Sequence, residues 1–168
     1  MGNLKASVSM ITFNHEKFIA QAIESIMSQQ TSFEFELVIG DDGSTDNTRA
    51  ICEQYQKQFV NKIRLIVNDK NIGSVNNFLQ NIYSCDGDFI AICDGDDFWT
   101  DNSKLQKQVS FLDSHKDYSF CFTNVRSVDA NGKQIKPFTQ IYYNDTFTHE
   151  SYVAKITPPT VTTLFRKN

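Results

Sequence analysis

Ile90-Ala91-Ile92-Cys93-Asp94-Gly95-Asp96-Asp97-Phe98-Trp99 is an apolar run that ends in three carboxylates within four residues. A short apolar run that stops at charge reads as a buried strand reaching the surface. Like charges this close repel by about 1 kcal/mol per pair at ~4 Å even in bulk water, so a fold that keeps them together has something positive among them. Asp carboxylates are hard oxygen ligands and suit Mg²⁺ or Mn²⁺. The plainer alternative is an acidic turn that caps a helix near Ser103. Placement at the C-terminal end of a strand favours the cation.

Working outward, the strand at 88–93 follows a helical stripe of Val75, Phe78, Leu79 and Ile82, and before that a strand at 63–67. Further upstream, Ala50, Ile51, Tyr55 and Phe59 mark the core side of another helix, with Ser44 or Asp46 as its N-cap. A strand at 35–39 precedes it. Within 15–30 the apolar positions Phe18, Ile19, Ala22, Ile23, Ile26 and Met27 form one stripe, opposite Glu16, Lys17, Gln21 and Glu24. The first strand holds Val8, Met10 and Ile11. Strands and helices that alternate with short loops require right-handed crossovers, which predicts an α/β fold: a Rossmann-like, mostly parallel central sheet with helices on both faces.

In such sheets ligands bind at the carboxyl ends of the strands. Three of the four strands end in polar residues: Thr12-Phe13-Asn14, Asp41-Asp42 and Asp94-Gly95-Asp96-Asp97. Downstream of Trp99 the spacing predicts a helix over 103–115 through Leu105, Val109 and Leu112, then a strand over 118–128 with a turn at Asp129-Ala130-Asn131-Gly132. The aromatic stretch with Phe138, Tyr142, Tyr143, Phe147 and Tyr152 receives no element, and a last strand is expected over 161–165.

The 168 residues fit one domain, 40% of them hydrophobic, with no run near the ~18 apolar residues of a membrane span. Sixteen Lys and Arg against twenty Asp and Glu give a net charge of −4, which argues against charge-driven binding of nucleic acid or anionic membrane. Cys52, Cys85, Cys93 and Cys121 form no C-x-x-C pair and read as reduced core residues. Without a signal-peptide pattern at the N-terminus, the expected place is the cytoplasm, with a peripheral position at the inner face of the cell membrane as an alternative.

Two adjacent carboxylates at Asp41-Asp42 exceed what a strand-to-helix turn needs, although Gly43 and Ser44 suit such a turn. A carboxylate there can accept an N–H from a base or a ribose hydroxyl, and Phe13 offers a wall for the base. No glycine-rich phosphate loop of either common type occurs. Phosphates would then be held by a metal, with Asp96 as the ligand of a cation that bridges two phosphate groups. His15, His115 and His149 show no metal-binding spacing.

The ordered set Val8-Ser9-Met10-Ile11-Thr12-Phe13-Asn14, Ser28-Gln29-Gln30, Glu36-Leu37-Val38-Ile39-Gly40-Asp41-Asp42-Gly43-Ser44-Thr45-Asp46, Asn71-Ile72-Gly73 and Asp94-Gly95-Asp96-Asp97 closely resembles the family 2 glycosyltransferases of the GT-A fold. The resemblance covers about 6–167. It implies a nucleotide-diphosphate sugar donor, a UDP-sugar first among them, a divalent cation (Mg²⁺ or Mn²⁺), and hexosyl or N-acetylhexosaminyl transfer with inversion to a saccharide or lipid-linked acceptor, as in bacterial polysaccharide biosynthesis. By position it places Ile11, Thr12 and Asn14 at the base, Asp42 on the base N–H, Asp94 and Gly95 along the ribose and diphosphate, and Asp96 on the metal. Glu16 falls where the family often keeps an acidic residue near the nucleotide. Ile11 departs from the family's usual proline, a change that a backbone contact tolerates.

The resemblance divides the chain into a nucleotide-binding half, about 1–99, and a partial acceptor half, 100–168. In the family the general base follows the strand that 161–165 resembles, so it is expected beyond Asn168, in a longer enzyme of which this chain is a part. Asp145 and Glu150 do not match that motif. Rival readings remain. A haloacid-type phosphatase carries Asp-x-Asp on its first strand rather than its fourth, and a receiver-like signalling module would pair Asp41-Asp42 with a phosphorylatable Asp on a later strand. A catalytically silent nucleotide-sugar-binding domain is the alternative to an enzyme.

Overall fold

The computed structural model describes residues 4–129, 132–135 and 160–167. The elements in chain order are β1 (Leu4–Thr12), α1 (Ile19–Met27), β2 (Glu34–Asp41), α2 (Thr48–Gln58), β3 (Ile63–Val67), α3 (Ser74–Tyr83), β4 (Phe89–Ile92), α4 (Lys104–Ser114), β5 (Phe120–Cys121) and β6 (Leu164–Arg166). The sheet order is β3-β2-β1-β4-β6-β5. β1 pairs in parallel with both β2 and β4, and β2 with β3. β6 runs antiparallel between β4 and β5. After β3 the chain returns across the sheet through α3 and enters β4 on the far side of β1. That reversal opens a crevice at the carboxyl ends of β1, β2 and β4.

The sheet has two unlike faces. Ala6, Val8 and Met10 of β1, Leu37 and Ile39 of β2 and Phe89 and Ala91 of β4 point one way. There they pack against Ile19, Ala22, Ile23 and Ile26 of α1, Cys52 of α2, and Leu105, Val109 and Leu112 of α4. This is the main core. On the opposite face, buried Ser7 and Ser9 alternate with those residues, and the apolar cluster is small: Val38, Cys85 and Ile90, flanked by Ile66, Ile82 and Phe165.

α3 covers that second face through asparagines. Asn77 Nδ2 donates to the Gly40 carbonyl at 2.8 Å, and Asn81 Nδ2 to Ser9 Oγ at 2.8 Å and the Val38 carbonyl at 3.0 Å. The helix can sit this low because Gly40 has no side chain: a Cβ there would meet Asn77 Oδ1 at 2.7 Å. The expected apolar stripe is therefore corrected. Val75 and Leu79 are exposed, by 70% and 44%, as is Tyr83 at 80%, while Asn77 and Asn81 are buried.

Other boundaries shift too. The helix expected over 15–30 spans Ile19–Met27, preceded by a turn in which the N–H groups of Phe18 and Ile19 both donate to the His15 carbonyl at 2.9 Å. In α2, Ala50 is exposed and Cys52 takes the buried position, with Ile51, Tyr55 and Phe59 packed at the core's edge. The strand expected over 118–128 is formed only at Phe120–Cys121, because its partner β6 is itself only Leu164–Arg166. Farther on, Val128 forms an isolated antiparallel bridge with Gln134, and Ala130 and Asn131 of the turn expected between them lie outside the described residues. The strand expected from Val161 begins instead at Leu164. Thr160–Thr162 is a 3₁₀ turn whose carbonyls are taken by side chains: Trp99 Nε1 donates to Val161 at 3.2 Å and Gln108 Nε2 to Thr162 at 2.9 Å. The aromatic stretch from Phe138 to Tyr152, Asp145 and Glu150 lie outside the described residues.

Candidate active site

The strand ends meet at a cleft of 270 Å³ whose walls include Ile11, Thr12, Phe13, Asp42, Asp94 and Asp96. Cross-strand bonds extend past the sheet and fix this rim. The Asp42 N–H donates to the Thr12 carbonyl at 2.9 Å and the Gly95 N–H to the Ile11 carbonyl at 2.9 Å. Of the nine positions named from the sequence, six line the cleft, and Gly95 is buried beneath it. Phe13 is 39% exposed, an aromatic face open to a ligand.

Asn14 and Glu16 stand at the rim and face another way. Asn14 adopts φ of +56°, a conformation in which Asn is tolerated. Its Oδ1 accepts the Thr45 N–H at 2.8 Å, and its own N–H donates to Ser44 Oγ at 3.0 Å. Glu16 Oε2 accepts the N–H and Nδ2 of Asn47 at 3.0 and 2.9 Å, while Asp46 Oδ2 accepts the Glu16 N–H at 3.1 Å. These bonds clasp the β1–α1 loop to the β2–α2 loop. Asp46 Oδ1 also accepts the Thr48 N–H at 2.9 Å, but the N-cap of α2 is Asn47, which makes no side-chain cap bond, so neither Ser44 nor Asp46 takes the expected capping position.

The acidic pair divides. Asp41 is fully buried and accepts the Ser44 hydroxyl within the turn. Asp42 turns to the cleft and holds the loop before α3, accepting the Ile72 N–H at 2.8 Å, the Gly73 N–H at 3.1 Å and Asn68 Nδ2 at 3.3 Å. That loop approaches because Gly43, at φ of +71°, leaves room: a Cβ there would strike the Lys70 backbone at 2.7 Å. A carboxylate has about four acceptor positions, so these three bonds leave one for a ligand N–H.

At the end of β4, burial first, and then the charges of Asp97 and Asp96, push the Asp94 carboxyl up to about 6. Burial and Asp96 also raise Asp97. Asp96 reaches outward with its side chain 54% exposed. No lysine or arginine lines the cleft among the described residues. Hard oxygen donors, a carboxyl driven toward its neutral form by burial and by its acidic neighbours, and the absence of lysine and arginine from the described lining fit a divalent cation. Among the described residues no three His, Cys, Asp or Glu side chains enclose a metal by themselves. Its remaining ligands would come from phosphate and water, the habit of Mg²⁺ and similar ions.

Sequence reasoning missed His15, Asn71, Ser74 and Asn77, which also line the cleft. The signal for Asn77 was present as its i, i+4 spacing with Asn81, a polar stripe on a helix that must cover a sheet. His15 carried no local pattern at all.

The model for the family described as glycosyl transferase family 2 matches residues 7–167. The chain belongs to glycosyl transferase family 2. Among its relatives is the Escherichia coli UDP-Glc:alpha-D-GlcNAc-diphosphoundecaprenol beta-1,3-glucosyltransferase WfgD, 31% identical over 147 residues, covering 86% of this chain and 55% of WfgD. S. aureus TarS 1-349 in complex with UDP-GlcNAc superposes with a TM-score of 0.74 at 25% identity, over 97% of this chain and 45% of that one. The mannosyltransferase PcManGT of Pyrobaculum calidifontis, in complex with GDP-Man and Mn²⁺, shares the fold with a TM-score of 0.65 at 19% identity, over 74% of this chain and 36% of its own. The architecture of this family 2 chain is thus the GT-A fold. The chain spans about half the length of the curated relatives it matches.

Proposed function

We propose that this domain binds a nucleotide-diphosphate sugar in the cleft at the ends of β1, β2 and β4, together with Mg²⁺ or Mn²⁺, for transfer of the sugar to an acceptor hydroxyl with inversion. The observation that carries the reading is convergence. Residues Ile11–Phe13, Asp42, Asp94 and Asp96, far apart in sequence, line one cleft that among the described residues has no lysine or arginine for a diphosphate.

In this reading Phe13 stacks on the base, Ile11 and Thr12 border it, and the free acceptor position of Asp42 takes a base N–H. Asp94 and Gly95 lie along the ribose and diphosphate, and Asp96 holds the cation. A bound divalent cation supplies positive charge to the departing nucleoside diphosphate. Asn14 and Glu16 shape the nucleotide site by fixing its loops to one another. WfgD is named for a UDP-sugar and TarS is complexed with one, which supports a UDP-sugar donor and hexosyl or N-acetylhexosaminyl transfer. The WfgD name likewise supports a lipid-linked saccharide acceptor in polysaccharide biosynthesis. Residues 1–99 form the donor half and 100–168 contribute part of the acceptor half. No helix among the described residues is long and apolar enough to cross a membrane.

Calorimetry of UDP with and without Mn²⁺ tests the reading. Binding is expected to require the metal and to be lost in Asp96→Ala. Metal-independent binding, or binding unchanged in that variant, would remove the donor-site assignment.

A further inference from the structure

His15 follows the β1 rim and is absent from the roles described so far. Its Nε2 stands 4.0 Å from Asp96 Oδ2, inside the same cleft. Its other ring nitrogen, Nδ1, is buried without a hydrogen-bond partner, and so is Thr12 Oγ1. The two orphaned atoms flank Gly95. A Cβ on that glycine would meet Thr12 Oγ1 at 2.7 Å and His15 Nδ1 at 3.0 Å, so the missing side chain is what admits the imidazole edge to this spot.

We propose that His15 Nε2 is a second protein ligand of the divalent cation held by Asp96, oriented from behind by the Thr12 hydroxyl. This rests on the donor-site reading above. Two ligand atoms each about 2.0–2.2 Å from one ion can stand no more than about 4.4 Å apart, and 4.0 Å falls within that limit. Metal-ligating histidines characteristically donate their other N–H to an oxygen that sets ring orientation and tautomer. Thr12 Oγ1 is an unpartnered buried oxygen beside the same glycine as the unpartnered Nδ1, and a hydrogen bond between the two, formed as the metal binds, would satisfy both buried atoms. The chemistry changes with it. A carboxylate-and-phosphate site is hard and accepts Mg²⁺ readily, whereas an imidazole nitrogen shifts preference toward Mn²⁺ and Co²⁺. His15 thus makes the site selective among divalent ions.

The test uses Mn²⁺ and UDP with the whole chain, read by pulsed electron paramagnetic resonance. Mn²⁺ bound with UDP is expected to show modulation from one directly coordinated ¹⁴N. Labelling the histidines with ¹⁵N should convert that modulation without any substitution, and His15→Gln should abolish it. Competition titration should show the ratio of Mn²⁺ to Mg²⁺ affinity falling by roughly an order of magnitude in His15→Gln. If Mn²⁺ and UDP bind together with no histidine nitrogen coupling, the His15 assignment is wrong and the donor-site reading stands. If neither Mn²⁺ nor UDP binds to the unmodified chain, both fall.

Discussion

The two faces of the sheet are built on opposite principles. Toward α1, α2 and α4 the strands present Ala6, Val8, Met10, Leu37 and Ile39, and the helices answer with aliphatic side chains. Toward α3 they present Ser7, Ser9, Gly40 and the small cluster around Val38. There the contact is made by amides, with a polar corner where Glu36 Oε1 accepts the Ser7 hydroxyl at 2.7 Å and Glu36 pairs with Arg64 at 3.2 Å. The first face holds the fold together by excluded apolar area. The second fixes where α3 sits, and through the Asn71–Gly73 loop it fixes one wall of the cleft. Directional bonds do that better than oil, because they specify position and not merely proximity.

The sharpest way to break this contrast is to truncate each face. Leu37→Ala on the apolar side should cost about 3 kcal/mol, read as a lowered urea midpoint with an unchanged slope. Asn81→Ala on the polar side should cost about 2 kcal/mol, since the Val38 carbonyl and Ser9 hydroxyl lose a buried donor. Asn81→Leu should recover none of that loss. A leucine variant as stable as the parent would show that the second face is an ordinary apolar packing surface.

Where the two faces meet, at the strand ends, Asp94 offers a smaller effect of known sign. Its folded pKa is raised to about 6, above an unfolded value of about 3.9. Its contribution is therefore fully present below pH ~4 and is lost as the pH rises through 6. In chelator, the stability of the parent relative to Asp94→Asn should fall by up to about 3 kcal/mol across that window and then level off. A flat difference would mean that neither burial nor the neighbouring carboxylates raise Asp94.

The same contrast explains what the sequence made legible. The alternation of strands and helices is a local signal, and the mostly parallel sheet followed from it, while the order β3-β2-β1-β4 came only with the structure. The apolar face obeys ordinary periodicity, so α1 and α4 were read with their buried sides right. α3 was read half right: Ile82 packs on the small cluster as expected, but the rest of the stripe is inverted, with Val75 and Leu79 exposed and Asn77 and Asn81 buried. That inversion depends on Gly40 in another strand, and no window of local sequence contains both. The 3₁₀ turn at Thr160–Thr162 depends in the same way on Trp99 and Gln108. At the cleft, acidic residue types marked the rim, yet only the family resemblance, and not the residues themselves, told Asp42, which lines the cleft, from Asp41, which closes a turn. Backbone hydrogen bonds decide that difference.

The clasp of Asn14 and Glu16 on Ser44, Thr45 and Asn47 bears on the entropy of association. Immobilising a free side chain or loop at an interface costs on the order of 0.5–1.5 kcal/mol per group. Here two rim loops are tied to each other by backbone and side-chain bonds before any ligand arrives. Two residues that do not line the cleft thereby leave less disorder in its rim for any ligand to remove.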